Sequence, residues 1–118
     1  MPSSRQLDRL NDIVANCDRI ANHVAGMTRE AYLADAKTQD AVERCLQRVS
    51  EAAYKLGGAL DARYPLAPWK QVRGIGNILR HQYDHIEPAD IWASIEQDVP
   101  LLRGSALLEI GRLQEEKS

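Results

Sequence analysis

The sequence predicts an all-α protein, a bundle of four to five helices forming one domain over residues 1–118. Three observations carry this. Apolar residues recur at three- and four-residue intervals through most of the chain. No stretch shows the period-two alternation between turn residues that marks a strand, and β-branched residues are scattered. Capping and breaking residues such as Gly26, Thr28, Asp35, Pro65 and Pro88 punctuate the periodic runs.

Leu7, Leu10, Ile13, Val14, Cys17, Ile20 and Val24 draw one stripe, which predicts a first helix from about Ser4 to Ala25, ended by Gly26. Thr28 is placed to cap a short helix through Tyr32 and Leu33. Asp35 or Thr38 starts the next. Val42, Cys45, Leu46, Val49, Ala53, Leu56 and Leu60 extend that helix to about Ala62, with Gly57 and Gly58 inside it as a bend or a place of close helix approach. Tyr64 to Pro68 reads as a turn, and Pro68 suits the start of a third long helix running to about His85. Pro88 opens a last helix carrying Ile91, Trp92, Ile95 and Val99, which Pro100 should kink or break. Apolar residues resume through Ile110 before the chain fades into charge.

A net charge of −2 argues against a protein that coats nucleic acid by bulk electrostatics. Aromatic residues make up 5% and phenylalanine is absent, which gives little support to base stacking. No apolar run approaches the roughly 20 residues of a membrane span, and the N-terminus lacks a signal-peptide core, so the expected compartment is the cytoplasm. Cys17 and Cys45 fall on apolar stripes and read as buried thiols.

The third long helix concentrates the chemistry. Arg73, Asn77, Arg80 and Asp84 are spaced by four, three and four, which places them in one narrow arc, with His81 at its edge. From Lys70 to Tyr83 no carboxylate interrupts the run. RNA can be cut without a metal when its 2′-hydroxyl attacks the adjacent phosphate. Histidine can serve as acid or base in that reaction. Guanidinium groups can hold the charge that builds on phosphorus. Two such helices facing each other across a two-fold axis would provide both proton-transfer groups. The same row also fits an ordinary solvated face. His81 and His85 are one turn apart, yet nothing else in the sequence completes a metal ligand set, so no metal or other cofactor is expected.

The stretch PWKQVRGIGNILRHQYDHI, Pro68 to Ile86, resembles the signature helix of the HepT-like proteins of the HEPN superfamily. The likeness continues upstream through RIANHVAGMTREAYLAD (Arg19 to Asp35) and TQDAVERCLQRVSEAAYKL (Thr38 to Leu56), and downstream through IWASIEQDVPLL (Ile91 to Leu102). The resemblance implies a helical bundle that forms a homodimer with the signature helices facing each other. It also implies a ribonuclease toxin, paired with a nucleotidyltransferase antitoxin of the MNT type that in some pairs attaches AMP to a tyrosine.

Carried onto this chain, His81 matches the catalytic histidine of an Arg-x4-His-x-Tyr pattern. Tyr83 matches the AMP acceptor, and Asn77 matches the polar residue after the catalytic arginine. The arginine itself is replaced by Gly76. Arg80 and Arg73 are the candidates to hold phosphate in its place, with Asp84 in support. The alternative is a non-catalytic HEPN module that binds a nucleotidyltransferase or a nucleotide.

Overall fold

In a computed structural model, residues 4–81 and 86–116 are described, and among them the fold is helical throughout. Six helices follow in order: α1 (Ser4–His23), α2 (Arg29–Leu33), α3 (Ala36–Leu56), α4 (Ala59–Arg63), α5 (Trp69–His81) and α6 (Pro88–Glu116). Two of them, α2 and α4, are five-residue connectors, so the all-helical expectation holds with six helices rather than four or five.

The helix boundaries have local causes. Thr28 caps α2, its Oγ1 accepting from the Ala31 N–H at 3.1 Å. Asp35 caps α3 by accepting from the Thr38 N–H at 3.0 Å, and Thr38 Oγ1 donates to the same carboxylate at 2.8 Å. The Thr38 backbone bond is the main reason the Asp35 carboxyl lies below its ordinary range. Gln39 Nε2 donates to the carbonyls of Tyr32 and Leu33, tying α2 to α3.

The expected single helix to Ala62 is not formed. Gly57 adopts φ +74°, a left-handed conformation that closes α3 at Leu56, and α4 restarts two residues later. Pro100 fails to break α6, which runs unbroken for 29 residues. Its ring sits at an exposed position, where water can serve the carbonyl freed one turn earlier.

The core is one cluster. Leu10, Ile13, Cys17 and Ile20 of α1 meet Val42, Cys45, Leu46 and Val49 of α3, with Ile91, Ile95, Val99, Leu102 and Ala106 of α6 on the other side. Tyr32 is fully buried, its ring 5.3 Å from that of Trp92. Both thiols are buried and free. Burial pushes the Cys17 thiol up to about 12.

Glu109 of α6 is a fully buried carboxylate in this apolar frame. It accepts from Arg112 Nε and Nη2 at 2.9 and 2.8 Å, from Tyr64 Oη at 2.9 Å and from Arg63 Nη1 at 2.7 Å. Arg112 leads these donors, which hold its pKa down at about 2 against the opposing effect of burial. The contact fastens the end of α4 and the turn before α5 onto α6. No helix among the described residues is long and apolar enough to cross a membrane.

Candidate functional site

Helix α5 carries the polar row. Trp69, Val72 and Leu79 bury one face of it against the core. Gly76 belongs to that buried face. Its N–H donates to Ser50 Oγ at 3.0 Å, and the same hydroxyl donates to the Arg73 carbonyl at 3.1 Å. A Cβ at position 76 would lie 2.6 Å from Ser50 Oγ and 2.9 Å from Ser50 Cβ. The two helices therefore touch where any side chain on residue 76 would have to pass.

Of the residues singled out from sequence, Asn77 is exposed. Arg73 is half-buried and engaged: Nη1 and Nη2 bind the two oxygens of Asp61 at 2.8 and 2.7 Å, and Nη1 also reaches the Gly57 carbonyl. This fork-on-carboxylate pair lowers the Asp61 pKa and raises that of Arg73, the side-chain hydrogen bond being the larger cause in both. The run of uninterrupted positive charge expected from Lys70 onward is thus interrupted in space by a carboxylate from α4. Arg80 and His81 are the last two residues of α5, and only their backbone is described. Tyr83, Asp84 and His85 lie outside the described residues.

Sequence reasoning missed three partners. Asp61 is twelve residues before Arg73, and its role depends on the α3–α4 break at Gly57. Ser50 gave no polar signal within an apolar stripe. Glu109 did leave one: it falls in register with Leu102, Ala106 and Leu113, so the helical spacing already assigned a charge to the buried stripe of α6.

Among the described residues the fold is a small all-helical bundle in which α5 buries one face and presents Asn77 on the other. The sequence matches the profile of the family described as Ribonuclease HepT-like over residues 13–106, a span that includes all of α5. The chain therefore belongs to the HepT-like ribonuclease family. It is 29% identical over 97 residues to the protein of Thermococcus cleftensis named Probable ribonuclease HepT, covering 82% of this chain and 88% of that one. It is 34% identical over 100 residues to a protein of Methanocaldococcus jannaschii named as a candidate RNase, covering 85% and 83% of the two chains. A second protein from that organism, similarly named, is 29% identical over 94 residues, covering 80% and 81%. No solved structure matches the chain.

Proposed function

We propose that the protein is a metal-independent endoribonuclease acting as a homodimer. In its cell it would be the toxin of a pair with an MNT-type nucleotidyltransferase antitoxin. The observation that carries the reading is the family match across residues 13–106, which spans α5 with its Asn77 and His81. In the proposed reaction the ribose 2′-oxygen attacks the neighbouring phosphorus and gives up its proton to a base. The bond from phosphorus to the 5′-oxygen breaks, the leaving oxygen takes a proton, and a 2′,3′-cyclic phosphate remains.

His81 moves one of these protons, and His81 of a second copy moves the other. Arg80 holds the phosphate. Asn77, exposed beside it in the chain, orients substrate or imidazole. Arg73 can join only by leaving Asp61, so its role is to fix the α4–α5 junction unless substrate displaces that carboxylate. Tyr83 is the AMP acceptor through which the antitoxin silences the toxin, with Asp84 in support.

One observation favours the second reading, a non-catalytic module that binds a nucleotidyltransferase or a nucleotide. Position 76, where the family pattern has its arginine, is a glycine packed against Ser50. The test is cleavage of a labelled mixed-sequence RNA in excess EDTA by dimeric protein whose intact mass shows no AMP. Cleavage that His81→Ala abolishes supports the nuclease. No cleavage by wild type, together with harmless expression and co-purification of a nucleotidyltransferase, supports the binding module.

A further inference from the structure

On the opposite side of α3 from the core, a groove of about 440 Å³ runs between α1 and α3. It continues toward the N-terminus of α1, where Arg5 and Arg9 lie beside Lys55 and Leu56 at the C-terminal end of α3. The two helices are therefore antiparallel. Arg9, Arg44, Arg48 and Lys55 line the main groove, and Arg5 extends it. Two carboxylates are interspersed. Glu51 pairs with Lys55 at 3.3 Å, and Asp12 shares the wall with Arg9. Arg5, Arg9 and Arg48 make no ion pair among the described residues.

The floor holds a second feature. Asn16 is only 8% exposed and donates Nδ2 to the Asp12 carbonyl at 2.9 Å, while its Oδ1 has no partner. A buried acceptor without a donor is a standing penalty; phosphate oxygens cannot relieve it, whereas a ribose 2′-hydroxyl, which RNA carries beside each phosphate, can donate to it.

We infer that this groove holds the phosphodiester backbone of single-stranded RNA beyond the α5 site, an inference that rests on RNA being the substrate. Four of the five cations are guanidiniums, which grip phosphate through two parallel hydrogen bonds. From Arg44 to Lys55, α3 rises roughly 16 Å, long enough to follow several consecutive phosphates of one strand. No aromatic residue lines the groove, so it tracks backbone rather than reading bases.

The groove is also joined to α5. Gln47 lines it, and the Gln47 carbonyl lies 3.8 Å from where a Cβ of Gly76 would sit. A strand leaving the α5 site needs to cross only the width of α3 to enter it.

The experiment is fluorescence anisotropy with a labelled single-stranded RNA, run as a salt series, alongside cleavage kinetics. Arg9→Glu/Arg48→Glu is compared with Arg29→Glu/Lys37→Glu, which reverses as much charge elsewhere. The groove variant should bind RNA at least tenfold more weakly, with the slope of log affinity against log salt reduced by about 1.4. It should raise KM and leave kcat, while the control pair stays near wild type and thermal melting shows both variants folded. His81→Ala should keep wild-type affinity.

If wild type cuts RNA and the groove variant keeps its Kd and KM, the groove assignment is overturned and the nuclease reading stands. If wild type binds through the groove without cutting, the groove stands and catalysis falls. Equal weakening by the control pair, or equal binding of poly-glutamate, overturns the groove in favour of bulk charge or an acidic protein segment. Absence of RNA binding by wild type overturns it as well.

Discussion

The Gly76 N–H donates to Ser50 Oγ at 3.0 Å, and the two helices are so close there that a Cβ on residue 76 would overlap the Ser50 side chain. Gly76→Ala gains up to about 1 kcal/mol of helix propensity. It loses roughly 1–3 kcal/mol to overpacking, because Ser50 Cβ as well as its hydroxyl is in the way. The overpacking wins. Urea unfolding should show a net loss of about 1 kcal/mol, and Ser50→Gly combined with Gly76→Ala should be more stable than the two separate losses predict. Gly76→Arg, which puts a far larger side chain at the same contact, should destabilise at least as much as Gly76→Ala.

Gly57 and Gly58 are neighbours with opposite tolerance. Gly57 needs φ +74°, whereas Gly58 has an ordinary negative φ and open space where a Cβ would go. Gly57→Ala should lower stability by about 1 kcal/mol. Gly58→Ala should leave it unchanged or slightly raised. Thermal melts of the two variants side by side decide the matter.

Glu109 makes stability fall in acid. Its folded pKa, about 2, is below the ordinary 4.5, so the unfolded chain binds the proton first as pH drops. The stabilisation is fully present above about pH 4.5 and is lost as pH falls toward 2. Asp35 and Asp61 are lowered too and act in the same sense. Glu109→Gln should cost about 2–4 kcal/mol at neutral pH, since it breaks a buried ion cluster. It should also flatten the stability curve between pH 5 and pH 2, read by chemical denaturation at each pH.

Cys17 and Cys45 are 1% and 2% exposed. A thiol held protonated by burial is a poor nucleophile. Neither should react with a thiol reagent at pH 8 in the native protein, and both should react in guanidinium. Above pH 9 the unfolded chain releases the Cys17 proton while the folded one retains it, so this group lowers stability between about pH 9 and 12.

Much of the architecture was legible because helical periodicity reports directly on burial. The stripes of α1 and α3 name residues that are in the core, and the caps at Thr28 and Asp35 fall where their side chains predict. The errors came from glycine and proline, whose effects depend on tertiary context. Gly57 turned out to end a helix that apolar spacing alone continues to Leu60. Pro100 is tolerated because α6 buries enough on its other face to hold a proline at an exposed position. On α5 the ion pair was not legible. Arg73 is committed by Asp61, whose position depends on where the preceding helix stops.

The Glu109 cluster has a consequence for the order in which the chain assembles. Its partners Arg63 and Tyr64 precede it by 46 and 45 residues, and Arg103 on the same helix pairs with Asp18 across 85. During synthesis the segment leading into α5 therefore emerges from the ribosome well before its anchor does. Until Glu109 and Arg112 clear the exit tunnel, Arg63 and Tyr64 have no anchor on α6, and the Arg73–Asp61 pair joins α5 to α4. A nascent chain arrested before that point would carry α5 packed on α3 and paired with α4, without their tie to α6.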